Sequence, residues 1–140
     1  MSEQVTREGI IRYIENVKFG YLATVDANNA PRVRPVGIYT VYGDCLYWFT
    51  LSNTRKVGEI AANPQVEVVW SNLQEQSQVR INGQLAVKTD EAIIEQFKAD
   101  NPIVAQLLPE AAQPLFRLYR LQPDKVYWAQ GMVPYTEVAW

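Results

Sequence analysis

Basic and hydroxyl side chains are concentrated in one short part of this sequence, residues 32–56. The basic side chains there are those of Arg32, Arg34, Arg55 and Lys56. Several hydroxyl side chains lie among them, including those of Thr50, Ser52 and Thr54. Ionised donors make stronger hydrogen bonds to anions than neutral donors do. The stretch therefore indicates a site for a small anion such as a phosphate ester.

A helix predicted to begin near Thr54 would strengthen this site. The free N–H groups and partial positive charge at a helix N-terminus suit a phosphate, and Arg55 and Lys56 would add full charges in the same turn. The alternative is an ordinary capped helix with a solvated basic first turn. Cations are mildly unfavourable in the first turn of a helix, which favours an external anion, but the residues alone leave both interpretations open.

The composition restricts the classes of function. The chain has 140 residues, of which 48% are hydrophobic, enough for one domain with a real core. Its formal charge of −2 argues against a general nucleic-acid surface. It contains no histidine, which excludes Ser-His-Asp and Cys-His catalysis and removes the usual zinc and haem ligands, so no metal site is predicted.

The expected location is the cytoplasm, without a membrane anchor. Cys45 is the single cysteine and cannot form an internal disulfide, which suits a reducing compartment. No apolar run is long enough to span a bilayer, and the first residues do not resemble a secretory signal. Because Cys45 lies in an apolar, aromatic strand, it is predicted to be a buried, inert thiol.

The elements that position these residues are mostly strands. Strands are predicted over residues 21–25, 32–42, 45–50, 65–71, 79–87, 114–121 and 125–129. Helices are predicted over residues 6–17, 54–62 and about 90–98, with a shorter helical piece from Asn101. Tight turns join most strands, so the sheet is expected to be antiparallel. The prediction is one mainly β domain over residues 1–140, a closed or partly closed barrel with flanking helices.

An ordered set of motifs carries a family resemblance. The motifs are residues 34–36 (RPV), 49–50 (FT), 53–56 (NTRK), 62–64 (ANP) and 78–83 (QVRING). Their order and spacing resemble the pyridoxamine 5'-phosphate oxidase-like FMN-binding split-barrel family, over about residues 6–90. The resemblance implies a six-stranded antiparallel split β-barrel. It also implies a homodimer with FMN bound at the subunit interface.

The resemblance assigns roles to the middle of the chain. Arg34, Pro35 and Val36 match the strand that runs beside the flavin. Phe49 and Thr50 match an aromatic–threonine pair at the flavin and the ribityl chain.

It also assigns the phosphate end of the site. Arg55 and Lys56 match the basic pair that holds the phosphate, and Gln78 matches a glutamine that the partner subunit supplies. Ser52 and Thr54 are expected to make additional contacts.

The tryptophans divide into two groups. Trp48 and Trp70 fall at strand positions where core or interface packing is the ordinary role. Trp128 lies in the last predicted strand and is a candidate to line the flavin pocket. Trp140 is expected to dock on the partner subunit or to be mobile.

The resulting functional prediction is a flavin-dependent oxidoreductase that acts on an unidentified small substrate. No catalytic residue is assigned. The best-known enzyme of the family has a C-terminal Arg-x-His motif that this sequence lacks, so pyridoxamine 5'-phosphate oxidase activity itself is not expected. The alternatives are a non-catalytic FMN-binding or electron-carrier protein and a reductase that uses the deazaflavin F420. Haem degradation is disfavoured because histidine is absent.

Overall fold

The computed structural model describes residues 5–37 and 39–140. Within these ranges the helices are α1 (Arg7–Val17), α2 (Arg55–Ala62), α3 (Glu91–Asp100) and α4 (Ile103–Leu107), followed by a 3₁₀ helix, Glu110–Leu115. The strands in the same ranges are β1 (Gly20–Val25), β2 (Pro31–Val36), β3 (Thr40–Tyr42), β4 (Cys45–Leu51), β5 (Gln65–Asn72), β6 (Ser77–Lys88), β7 (Phe116–Gln130) and β8 (Thr136–Glu137).

All the described strands belong to one antiparallel sheet. Its order is β2-β1-β5-β6-β7-β4-β3, and the short β8 pairs with β7. This confirms the prediction of a mainly β, antiparallel fold with flanking helices. The sheet is not closed, because no pairing joins β2 to β3 in the part of the chain that the structure describes.

The predicted strand over residues 32–42 is wrong, since this segment forms two strands. β2 pairs with β1 and β3 pairs with β4, which places them at opposite ends of the sheet order. Gly37 follows β2 at a point of close approach: a Cβ there would lie 2.7 Å from the Phe19 ring. The chain therefore leaves one sheet edge and crosses to the other at this glycine.

The two predicted strands near the C-terminus form one long strand, β7, so the predicted break at residues 122–124 is also wrong. The pairing of β6 with β7 shifts register between Asn82 and Gly83, opposite Pro123. Such a bulge accommodates a proline, which lacks the N–H that a regular ladder needs. A Cβ on Gly83 would lie 2.1 Å from the Gln122 carbonyl oxygen, so the bulge requires glycine.

Two apolar cores flank the sheet. The larger core includes Trp48 and Trp70, both fully buried, which confirms their predicted packing role. Helix α1 contributes Ile10 and Ile14 to this core, and Thr6 caps the helix as predicted by accepting from the Gly9 N–H. On the opposite side of the sheet, α3 and α4 cover a smaller core of Tyr47, Phe97, Val104 and Leu118.

None of the helices in residues 5–37 and 39–140 is long and apolar enough to cross a membrane.

Candidate functional site

Helix α2 begins directly after β4, and its first turn has none of the usual stabilising features. Thr54 occupies the N-cap position, but its side chain makes no capping hydrogen bond; its hydroxyl donates instead to the Leu51 carbonyl oxygen at 2.8 Å. The first turn carries Arg55 and Lys56 and no acidic residue. The partial positive charge of the helix N-terminus and the two cations would be stabilised by a bound anion.

Arg34 reaches the same region from β2. It pairs with Leu22 of β1, on the face of the sheet that α2 covers. Its Nη2 donates to Glu59 Oε1 at 2.7 Å, and its Nη1 donates to Thr24 Oγ1 at 2.7 Å and to the Leu22 carbonyl oxygen at 3.3 Å. Arg34 is therefore anchored to both β1 and α2.

Lys56, the second residue of α2, interacts electrostatically with this anchor. Partial burial lowers the pKa of Lys56 from its ordinary value, and the nearby positive charge of Arg34 lowers it further. The hydrogen bond from Thr24 and the charge of Arg34 lower the pKa of the Glu59 carboxyl, and Arg55 acts in the same direction. Arg34, Arg55 and Lys56, named here the cationic cluster, thus all interact electrostatically with the Glu59 carboxylate.

The cationic cluster has the charge that a phosphate monoester requires. Three ionised cations and one carboxylate, that of Glu59, leave a net charge of +2. A phosphate monoester carries about −1.5 to −2 near neutral pH. The donor set and its charge therefore fit such a group.

Thr50 and Ser52 lie at the border of the cationic cluster. Thr50 is buried, and its Oγ1 is 3.5 Å from Thr54 Oγ1. The Ser52 N–H donates to the Leu115 carbonyl oxygen at 2.7 Å, which fixes the turn between β4 and α2. The sequence-predicted residues Thr50, Ser52 and Thr54 therefore occupy the segment that leads into the cluster.

The side chain of Phe49 lies on the other face of the sheet. It stacks on Phe116 with ring centroids 5.3 Å apart and meets Phe97 edge-on at 6.2 Å, in the smaller core. Successive residues of a strand point to opposite faces. Phe49 and Thr50 are thus separated by the sheet, and the flavin contact predicted for Phe49 remains a prediction.

Three further predicted residues lie outside the cationic cluster. Val36 is buried in the larger core, whereas the neighbouring Pro35 is exposed. Gln78 lies on β6, three strands away from β2, on the face opposite the buried Val79 and Ile81. Within one chain, Gln78 is therefore remote from Arg34.

Trp128 packs under helix α1. Its ring meets Tyr13 edge-on, with centroids 5.2 Å apart and an interplanar angle of 88°. It also lines a cavity of about 980 Å³ between the start of α1 and the segment 133–139. The role predicted for Trp128 at the flavin remains a prediction.

The structure also describes the surroundings of Cys45 and Trp140. Cys45 is only half-buried, because it is the first residue of β4, and the prediction of a buried thiol is therefore wrong. Partial burial nevertheless raises the pKa of the Cys45 thiol, and Sγ donates to Gln122 Oε1 at 3.1 Å.

Trp140 contacts two residues of its own chain. Its Nε1 donates to the Asp44 carbonyl oxygen at 2.7 Å, and the Arg7 guanidinium lies over its ring.

Two residues of the site, Glu59 and Thr24, were not indicated by the sequence reasoning. Both are buried polar residues on facing elements, and they share a 2.7 Å hydrogen bond. The one available signal is the spacing of four residues between Arg55 and Glu59, which brings the two onto one side of a helix.

Comparison with known proteins identifies the family. The sequence model of the family described as pyridoxamine 5'-phosphate oxidase matches residues 8–128. The chain is 33% identical, over 86 residues, to pyridoxine/pyridoxamine 5'-phosphate oxidase of Paraburkholderia phytofirmans. The aligned region covers 61% of this chain and 40% of that enzyme, so the chain spans less than half of this curated relative.

Several solved structures share this fold. A NimC/NimA family protein of Clostridium acetobutylicum superposes with a TM-score of 0.79 at 18% identity, covering 93% of this chain and 89% of that one. A pyridoxamine 5'-phosphate oxidase-related, FMN-binding protein of Nostoc punctiforme gives 0.68 at 19% identity, covering 98% and 91%. A heme-binding protein of Mycobacterium smegmatis gives 0.75 at 16% identity, covering 97% and 59%.

These similarities establish the split-barrel fold, and the family model extends over most of the chain. The protein belongs to the pyridoxamine 5'-phosphate oxidase family.

Proposed function

We propose that this protein is a cytoplasmic, homodimeric FMN-binding flavoprotein that acts as an oxidoreductase on a small substrate. The observation that carries the proposal is the cationic cluster at the uncapped N-terminus of α2. Family membership and the FMN-binding structural neighbour support the choice of FMN as the phosphorylated ligand.

The donor chemistry favours FMN over haem. The phosphate of FMN is a dianionic monoester, which matches the net charge of the cationic cluster and its many N–H donors. Haem iron is most often held by histidine, and the sequence contains none. The heme-binding neighbour at 16% identity and the FMN-binding neighbour at 19% identity are both too distant to decide between the two ligands, so the decision rests on the donor chemistry of the site.

Each part of the chain has a role in this proposal. Arg55 and Lys56 bind the phosphate, and Arg34 supplies further donors from β2. Thr50 and Thr54 offer hydroxyls at the entry to α2. Bound FMN would supply the hydride or electron transfer, while the protein binds and orients it. No general acid or base is assigned.

The proposed homodimer has a suitable surface. One side of β1, β2, β5 and β6, named here the outer face, carries Tyr21, Val33, Pro35 and Gln78. Tyr21 is 48% exposed and Val33 is 63% exposed, and apolar side chains exposed side by side in this way can mark an interaction surface. A second copy that covers this face would bury Tyr21, Val33 and Gln78 between the two subunits.

The first experiment is the absorption spectrum of the purified protein. We expect the purified protein to absorb visible light as a flavin does. If it is purified without the cofactor, we expect added FMN to bind to the apoprotein and its flavin fluorescence to be quenched. The matched titration uses riboflavin, which has no phosphate and should bind more weakly. A colourless protein that binds no added FMN, or one that gives a Soret shift with haem instead, would contradict the proposal.

A second experiment separates an enzyme from a carrier. The FMN-loaded protein is screened for NADH and NADPH oxidation with small acceptors, and turnover supports the oxidoreductase. Bound FMN without turnover in this screen supports the electron carrier. Tighter binding of the deazaflavin than of FMN would support the F420-dependent reductase.

A further inference from the structure

Glu59 is a buried carboxylate inside a group of cations. It lies in α2 and is 7% exposed. Its Oε1 accepts two hydrogen bonds of 2.7 Å each, from Thr24 Oγ1 and from Arg34 Nη2. Its Oε2 is buried and has no hydrogen-bond partner among the described residues. Hydrogen bonding alone therefore does not account for its burial, and the surrounding positive charges stabilise the carboxylate.

The three side chains form a closed hydrogen-bonded ring. Arg34 Nη1 donates to Thr24 Oγ1, whose hydroxyl donates in turn to Glu59 Oε1. Arg34 Nη2 donates to the same Glu59 oxygen, which completes the ring. The donors and acceptors are consistent at every atom, because the single Thr24 hydroxyl donates once and accepts once.

The ring restricts a side chain that would otherwise be mobile. Arg34 lies on β2, an edge strand of the sheet, and an arginine side chain loses much of its rotamer entropy when it is fixed. Here this cost is already met by the contacts to β1 and α2. Of the five guanidinium N–H groups, the ring and the Leu22 carbonyl take three, so two remain available.

We infer that Glu59 is a positioning residue for the phosphate of the ligand. It holds Arg34 in one orientation beside Lys56, with the unused guanidinium N–H groups available to the anion. The observation that carries this inference is the ring of Arg34, Thr24 and Glu59, with its three hydrogen bonds of 2.7 Å. The inference rests on the proposed binding of FMN, and adds to it a residue that touches no ligand.

A purely structural role is the main alternative. The Arg34–Glu59 pair also links β2 to α2, so its loss could loosen the fold without any specific effect on phosphate binding. A structural defect would weaken FMN and riboflavin binding alike. A positioning defect would weaken FMN binding alone, because riboflavin carries no phosphate.

The test compares Glu59→Gln with Glu59→Ala in the full chain. Both changes remove the same negative charge, but only glutamine keeps an oxygen that accepts from Arg34. FMN and riboflavin affinities are measured by fluorescence titration of apoprotein. We expect Glu59→Ala to weaken FMN binding about 10-fold or more and riboflavin binding less than about 2-fold, and Glu59→Gln to stay within about 3-fold of wild type for both. Glu15→Gln, at an exposed site on α1, is the matched control for lost charge.

Thr24 gives an independent route if Glu59→Ala fails to fold. Thr24→Val removes the hydroxyl that bridges the ring, and Thr24→Ser keeps it. We expect the valine variant to lose FMN affinity selectively and the serine variant to retain it.

The outcomes separate the two proposals. If wild-type protein binds FMN and no variant changes the FMN-to-riboflavin ratio, the inference about Glu59 is overturned and the proposed function stands. Equal losses in Glu59→Gln and Glu59→Ala would also overturn it, because charge rather than the acceptor would then be responsible. If wild-type protein binds no FMN, both proposals are overturned.

Discussion

The cations of the site are held by different means. Arg34 is fixed by three hydrogen bonds to neighbouring elements, whereas Lys56 is positioned by its place in the first turn of α2 and is partly desolvated there. Desolvation makes the ammonium a stronger partner for an anion, because the interaction occurs in a lower effective dielectric than that of water. Lys56 is therefore the residue at which substitution should affect phosphate binding most directly.

The first prediction concerns Lys56→Ala. Charge-assisted hydrogen bonds contribute about 1.5–3 kcal/mol, so we expect FMN affinity to fall about 10- to 100-fold. Riboflavin affinity should change little. The measurement is a fluorescence titration of apoprotein, with Arg12→Ala at an exposed position of α1 as the control for lost positive charge. Equal loss for FMN and riboflavin would contradict a role at the phosphate.

The second prediction concerns pH. The pKa of Lys56 in the free protein lies below its ordinary value of 10.5, because of partial burial and the charge of Arg34. A bound phosphate would raise this pKa, so binding takes up a proton once Lys56 is deprotonated in the free protein. FMN affinity should therefore fall as the pH rises through the free-protein pKa and stay level below it, down to about pH 7. Lys56→Arg should abolish the alkaline fall, because arginine stays protonated; a fall of the same size in that variant would contradict the assignment.

The sequence singles out the residues proposed to contact the ligand but does not reveal the residues proposed to position them. Arg55 and Lys56 stand out because cations are unfavourable in the first turn of a helix. Glu59 looks like any helical glutamate, since its burial depends on how α2 docks on β1. Strand alternation predicts that Phe49 and Thr50 point to opposite faces of the sheet. It does not predict that α3 packs on the Phe49 face, because that packing joins residues that are distant in sequence.

At the scale of elements, glycines mark the places where the sheet departs from regularity. The errors in the predicted strands at residues 32–42 and 114–129 have the same origin. Local pattern shows where a chain is extended, but strand partners are set by contacts distant in sequence. Gly37 follows the last residue of β2, where the chain leaves for the far edge of the sheet, and Gly83 allows β7 to continue past Pro123.

The third prediction contrasts two glycine substitutions. Gly83→Ala would place a Cβ 2.1 Å from the Gln122 carbonyl oxygen, so we expect it to destabilise the protein by about 1–3 kcal/mol or more. Gly58 lies in α2 with open space around its Cβ position, so Gly58→Ala should stabilise the protein by about 0.5–1 kcal/mol through helix propensity. Denaturant unfolding of both variants checks the signs. Equal effects would show that β6 moves away from β7 to accommodate the methyl group.

At the scale of the whole molecule, the two sides of the sheet are covered unequally. Helices α3 and α4 cover the smaller core, and α1 and α2 lie over the larger one. The outer face has Tyr135 over Arg80, with the guanidinium 4.8 Å from the ring centroid, while Tyr21 and Val33 stay largely exposed. Exposed apolar side chains grouped in this way are typical of a subunit interface.

The fourth prediction tests this interface with Val33→Asp. In a single chain Val33 is 63% exposed, so the substitution should leave the fold intact. In the proposed dimer it would bury an unpaired carboxylate, and we expect the dimer dissociation constant to rise at least about 100-fold. Sedimentation analysis measures this change. FMN affinity should fall with it, because the proposed FMN site lies at the subunit interface. Leu107→Asp makes the same kind of change at a 56% exposed position on α4 and should keep the dimer. A Val33→Asp variant that stays dimeric would show that the subunits associate through another surface.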